Sequence, residues 1–218
     1  QAGCDLTGKD NILLGYYAGT DMTSGCYNIA FGKCVMGSGI VTGNYNIALG
    51  QSAGQAITSG AENIAIGCKA QGTGTVTGQQ NITIGKNAGT DITSGSYNIL
   101  FGRNVAQGLT TGQGNIIMGT GSLGGDLATT ATGLNNVMIG NQNATGATSA
   151  ACNVTIGHLA GRCVTSAIHN IFLGAYSGSA SSAGTGCRNI AIGVRAATGL
   201  TTGCDNTVMG TYAGCAMT

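Results

Sequence analysis

The chain is built on a repeated pentad of Asn, an apolar residue, a variable residue, a large apolar residue and Gly. The pentad begins at Asn11, Asn28, Asn46, Asn63, Asn81 and Asn98, and again at Asn115, Asn136, Asn153, Asn170, Asn189 and Asn206. Spacings are 17 or 18 residues, apart from 21 after Asn115 and 19 after Asn170. All twelve copies keep the asparagine and the closing glycine, and the second position is Ile in nine of them. Another glycine stands three residues before the asparagine in ten copies; Ala150 and Ala167 take its place in two. Period-two alternation with β-branched residues marks a short strand, and the flanking glycines supply turns. A second apolar patch in mid-repeat (Met22, Ile57, Val76, Ile92, Leu109, Val164, Leu200) predicts a second short strand in each unit. Such a unit cannot bury its own apolar face, whereas stacked units can. The expected fold is all-β: one domain, 1–218, a parallel β-solenoid (β-roll or β-helix) of about twelve 17–18-residue coils, with no helices. Coils ~4.8 Å apart make a rod roughly 55–60 Å long.

Stacking turns each repeat position into a column. The twelve asparagines predict an amide ladder, each side chain bonded to the next coil. A turn preference alone would admit Asp, Ser or Gly as well. A threonine column, including Thr7, Thr23, Thr42, Thr58, Thr77, Thr93 and Thr165, runs beside it with a phase that wavers by one residue. The third pentad position is expected to face away from the coil interior. Ten of its twelve residues are apolar, among them Leu13, Leu100, Ile117, Met138, Phe172 and Val208. An apolar stripe along a whole rod predicts a lateral interface covered by another chain.

Composition excludes several function classes. Fifteen charged residues in 218, with a net charge of +1, give no basic field for nucleic acid. An apolar fraction of 42% argues against disorder, and the absence of proline argues against collagen. No apolar run is long enough for a membrane-spanning helix. Residues 50–54 match a hydrolase nucleophile pattern around Ser52, but no helix follows, and Tyr17, Asn87 and Asn104 hold the same column. Gly119, Gly121 and Gly124 match a dinucleotide fingerprint without a βαβ unit. No Cys-x-x-Cys pair exists, and His158 and His169 have no nearby ligand spacing, so no metal site is expected. The chain is expected to be neither an enzyme nor a cofactor binder.

Asn-Ile-Ala-Ile-Gly at 63–67 and 189–193 is followed in the repeat by Ala-Gly, as at Ala18-Gly19, Ala53-Gly54, Ala88-Gly89 and Ala213-Gly214. This pattern resembles the head repeat of trimeric autotransporter adhesins, and resembles more closely the Gly/Asn-rich repeats of marine phage tail fibres. The resemblance covers essentially the whole chain. It implies a β-roll or β-helix, trimerised through small outward-facing side chains, that adheres to a surface; it brings no catalytic residues.

Nine cysteines in a repeat protein without a metal pattern predict extracellular disulfides. Cys187 and Cys204 each lie two residues before their asparagine on successive coils, within disulfide range when stacked. Cys152 and Cys163 form a weaker candidate pair across one coil. Gln1 in place of Met is expected of a mature secreted chain. Residues 2–7 and 213–218 share the pattern Ala-Gly-Cys-x-x-Thr, so head-to-tail stacking would bring Cys4 against Cys215 of a neighbour. Asn81, Asn143 and Asn153 head glycosylation sequons, with Asn143 expected to be exposed. Tyr27, Tyr45 and Tyr97 form a candidate strip for cell-surface glycans. The leading expectation is a structural subunit of an extracellular self-assembling filament, its coils stacked head to tail and disulfide-crosslinked. Alternatives are a trimeric tail-fibre or adhesin shaft that binds a cell surface, and an ice-binding solenoid.

Overall fold

A computed structural model describes residues 2–3, 6–121, 131–180 and 184–215. Each pentad forms one three-residue strand. These are β1 (Ile12–Leu14), β2 (Ile29–Phe31), β3 (Ile47–Leu49), β4 (Ile64–Ile66), β5 (Ile82–Ile84) and β6 (Ile99–Phe101). They continue as β7 (Ile116–Met118), β8 (Val137–Ile139), β9 (Val154–Ile156), β10 (Ile171–Leu173), β11 (Ile190–Ile192) and β12 (Thr207–Met209). The strands stand in chain order in one twelve-stranded sheet. Every pair is parallel and in pentad register, so that Ile12 lies opposite Ile29 and Leu100 opposite Ile117. No helix occurs among the described residues, and the molecule is the parallel β-solenoid that the repeat demands.

The mid-repeat patch does not form a second strand. It is reduced to isolated parallel bridges: Met22 to Val41, Ile57 to Val76, Leu109 to Ala131 and Val164 to Gly184. The repeat length explains this. Met22 and Ile57 lie six residues before their asparagine, whereas Val41 and Val76 lie five before theirs. The varying length of the repeat is thus absorbed here, and a ladder cannot run on when its register shifts from coil to coil.

The facing of the strand is opposite to the expectation. Leu100, Ile117, Met138, Phe172 and Val208 are buried, and Leu13 packs on the core, so these six residues line the interior rather than a lateral surface. The asparagine sets the phase: it is turned inward, and strand alternation then sends the second pentad position out, the third in and the fourth out. Hydrophobicity alone had placed the larger Ile, Leu and Phe side chains inside. A flat coil leaves a thin interior, filled by small third-position residues such as Ala30, Ala48 and Ala65. These pack with Met22, Val35, Val41, Ile57 and Val76 from the opposite wall.

The two corners of the strand carry backbone that propensity does not announce. Among the described residues twenty-eight non-glycine residues have positive φ, twenty-two of them at these two corners. One column is the residue before each asparagine, including Tyr27, Glu62, Cys152 and Arg188; another is the second residue after each pentad glycine, including Cys34, Lys69 and Leu159. Left-handed backbone costs an L-residue about 1 kcal/mol. In these two columns, from the second coil on, the geometry aims the N–H at the preceding coil: Tyr27 donates to the Lys9 carbonyl at 3.0 Å, and Cys34 to the Tyr16 carbonyl at 2.9 Å. The same bond recurs at Glu62, Leu159 and Arg195.

The pentad glycine has a stricter reason. Its φ runs from 116° to 145°, and a Cβ would also strike the next coil. At Gly102, with φ 137°, that Cβ would lie 1.7 Å from the carbonyl oxygen of Gly119. Gly102→Ala is expected to lower unfolding stability by about 3 kcal/mol or more, from forbidden backbone and a backbone clash together. Chemical denaturation against the parent chain checks this; a loss below about 1 kcal/mol would contradict the close approach.

Candidate functional site

Two columns dominate the molecule: the inward asparagines and the outward apolar face. From Asn28 to Asn189 the asparagines are buried, with Asn11 and Asn206 partly so at the two ends of the ladder. Each Nδ2 from Asn28 onward donates to the Oδ1 of the asparagine one coil before, at 2.9–3.1 Å. The backbone N–H of the same residue donates to the same oxygen; that bond is 2.8 Å for Asn28 and 3.1 Å for Asn98. The second Nδ2 hydrogen goes forward to a carbonyl of the next coil, three residues before its asparagine, as from Asn81 to Gly95 at 2.8 Å and from Asn136 to Ala150 at 2.8 Å. The amide therefore spends two donors and takes two acceptor bonds at one oxygen. Aspartate lacks the donors, serine has only one, and glutamine is a methylene too long.

The outward face consists of the second and fourth pentad positions. It holds 24 side chains, of which only Thr207 is not apolar. Eleven of the apolar ones are 36–66% exposed, with Ile12, Leu14, Phe31 and Met209 the most open. The sheet thus presents a continuous Ile, Leu, Phe and Met surface along its whole length.

The other sequence candidates fall as follows. Cys187 and Cys204 are joined in a disulfide with Cα atoms 4.6 Å apart. Cys26, Cys34, Cys68, Cys152, Cys163 and Cys215 are free, so Cys152 and Cys163 are not bridged. Cys215 is exposed, and Cys4 lies outside the described residues. Asn143, expected on the surface as a sequon, is instead fully buried. Its Nδ2 donates to the carbonyls of Ile139, Thr155 and Gly157, and its Oδ1 accepts from the Thr155 hydroxyl. It fills an interior column held by Ala53 and Ala88 in other coils, and those small apolar residues at the same offset from the pentad glycine are the signal that marks the position as interior.

Tyr27 and Tyr45 stack at 5.0 Å with rings 2° from parallel, so each covers one face of the other. Tyr97 stands exposed in the same column. Five hydroxyls of the threonine column bond between coils: Thr7 donates to Thr23, Thr23 to Val41, Thr58 to Val76, Thr93 to Thr110 and Thr165 to Gly184, in each case to the backbone carbonyl. Ser52 sits at φ 54° in a turn column rather than at a strand-to-helix elbow. Among the described residues no three His, Cys, Asp or Glu side chains converge.

Charge is sparse and peripheral. Arg188 clasps Asp205 on the next coil, Nε to Oδ1 at 2.6 Å and Nη2 to Oδ2 at 2.8 Å. The hydrogen bond with Asp205 raises the Arg188 guanidinium, and the hydrogen bond from Arg188 holds the Asp205 carboxyl below its ordinary value. A depressed carboxyl favours the fold above its unfolded titration range, and that contribution is lost as pH falls through the folded value. Both groups are exposed, so it is small. A hydrogen bond with Tyr17 raises the Tyr16 hydroxyl.

Asn98→Ala removes the acceptor of two Asn115 donors and leaves the carbonyl of Gly112 and the Oδ1 of Asn81 short of a donor. Several buried groups orphaned together are expected to cost about 4 kcal/mol, read by denaturant unfolding. A cost under about 1 kcal/mol would reduce the ladder to a turn preference. Cys187→Ser with Cys204→Ser is expected to loosen β12, seen as faster amide exchange across residues 204–210 with β3–β6 unchanged.

No protein-family model, no curated protein and no solved structure matches this chain. The resemblance to adhesin heads and tail fibres thus has no match behind it, and what stands is a parallel β-solenoid of coils about 17 residues long.

Proposed function

We propose that this chain is a structural subunit of an extracellular fibre that assembles through its outer sheet face. The carrying observation is that face: 24 outward positions, 23 of them apolar, on one flat sheet. Parallel sheets are ordinarily covered on both sides. The eleven most open residues alone leave on the order of 1,000 Å² of apolar surface, above the ~800 Å² that one partner gives a standard interface. This is a structural role rather than a catalytic one. End-to-end stacking of rods belongs to the same proposal, because ladder and sheet bonds repeat alike at each coil step.

The setting is supported by the Cys187–Cys204 disulfide, which persists in oxidising compartments. No helix among the described residues is long and apolar enough to cross a membrane. A glycan-binding shaft is the alternative. The mutual stacking of Tyr27 and Tyr45 takes up ring faces that a sugar would use, which favours the structural reading. Threonine hydroxyls engaged between coils weigh in the same way against ice binding.

The test is sedimentation velocity over a concentration series, with negative-stain microscopy of the same samples. The parent chain is expected to grow in mass with concentration and to show fibres or paired rods. Phe31→Lys combined with Phe101→Lys is expected to stay monomeric with an unchanged far-ultraviolet spectrum. Assembly that survives both substitutions would remove the outer face as the contact.

A further inference from the structure

The outer face has two unlike margins. The corner after each strand, formed by the two residues following the pentad glycine, carries Lys33, Lys69, Lys86, Arg103 and Arg195. Among its described residues there is no acid. The corner before each strand carries Asp10, Glu62 and Asp205. Arg188 shares that corner but is engaged by Asp205, and Lys9 stands one residue further back. An apolar strip is thus edged by cations on one side and by acids on the other.

We infer that the face is covered by a second copy of this chain, the two rods running parallel and in coil register about a two-fold axis along their length. The inference rests on the fibre reading above and fixes the symmetry of its unit contact. Symmetric face-to-face packing of two rods allows two alignments. An axis along the rod sets the leading corner of one copy beside the trailing corner of the other, with each coil beside its own equivalent. Acids then meet cations. Glu62 faces Lys69 within the fourth coil, while Asp10 and Lys33 are one coil apart. The tyrosines fall into place as well: Tyr27 meets Lys33 in the second coil, and Tyr97 meets Arg103 in the sixth, where a cation over an aromatic ring is favourable.

An axis across the rod does the reverse. It brings cationic margin to cationic margin and acidic to acidic. With the twelve strands overlapping, coil two meets coil eleven, which sets Lys33 against Arg195. Like charges on closed margins disfavour that alignment, so the few charges in the chain select orientation while the apolar strip supplies adhesion. The Glu62–Lys69 and Asp10–Lys33 pairs are not made within one chain, where Glu62 accepts only from the Gln80 amide at 2.6 Å. Leading and trailing corners lie at opposite ends of a three-residue strand, and Arg188–Asp205 is the ion pair found among the described residues.

The test uses carbodiimide coupling on an equal mixture of isotope-labelled and unlabelled chain, followed by peptide mass spectrometry. Mixed-isotope Glu62–Lys69 and Asp10–Lys33 peptides are expected. Alongside it, Lys69→Glu is expected to raise the concentration for half-association about tenfold, and adding Glu62→Lys to restore it to within about twofold. Persistent self-association without mixed Glu62–Lys69 peptides and without rescue overturns the parallel alignment and leaves the fibre reading standing. A parent chain that stays monomeric at every concentration overturns both. The cross-linking arm uses the unaltered chain and so does not depend on either variant folding.

Discussion

The buried amide ladder is the interaction on which the other features of this molecule depend. A side-chain amide with two donors and a doubly accepting oxygen is satisfied here only if an identical amide sits one coil away. That condition fixes coil register. It also fixes facing, because an inward asparagine dictates by alternation that the second and fourth pentad residues point out. The core is therefore partly polar, and the second- and fourth-position Ile, Leu, Phe and Met of the pentad are displaced to the outer face. The exposed face is a consequence of the ladder rather than an independent design.

Corner geometry follows from the same repeat. A chain that returns to the same column every 17 or 18 residues must turn sharply on both sides of each strand. It does so with left-handed residues whose N–H groups bond the coil before. Tyr, Cys, Lys, Arg and Asp all occupy these positions, which shows that inter-coil bonding offsets the local preference. Glycine holds all twelve strand ends, where the backbone angle and, at every copy but Gly210, the next coil leave no room for a Cβ. These glycines thus buy closeness between coils rather than flexibility.

The pentad strands, parallel order and the asparagine column were legible in the sequence because stacking preserves a pattern that a reader can count, whereas the second strand expected in mid-repeat does not form. The Cys187–Cys204 bond was legible for the same reason: equal offsets from successive asparagines imply adjacent positions. Facing was not legible, since alternation gives two faces but not which is inside. Hydrophobicity chose wrongly for Leu13, Leu100, Ile117, Met138, Phe172 and Val208, because hydrogen-bond demand of the amide outweighs the larger apolar volume of Ile and Phe. Asn143 was misplaced with them. The left-handed corner residues were invisible for a different reason: they carry no common chemistry.

One consequence concerns mechanics. The sheet bonds, the amide ladder and the corner bonds all join successive coils, so they run along the rod rather than across it. Pulling on the two ends of such a rod loads the coil steps in series, and the weakest step governs when the stack begins to unwind. The covalent link between the eleventh and twelfth coils takes one step out of that series. Neighbouring rods seated side by side would share the load over many coils at once, so tensile strength would then come from lateral contact while each rod alone peels.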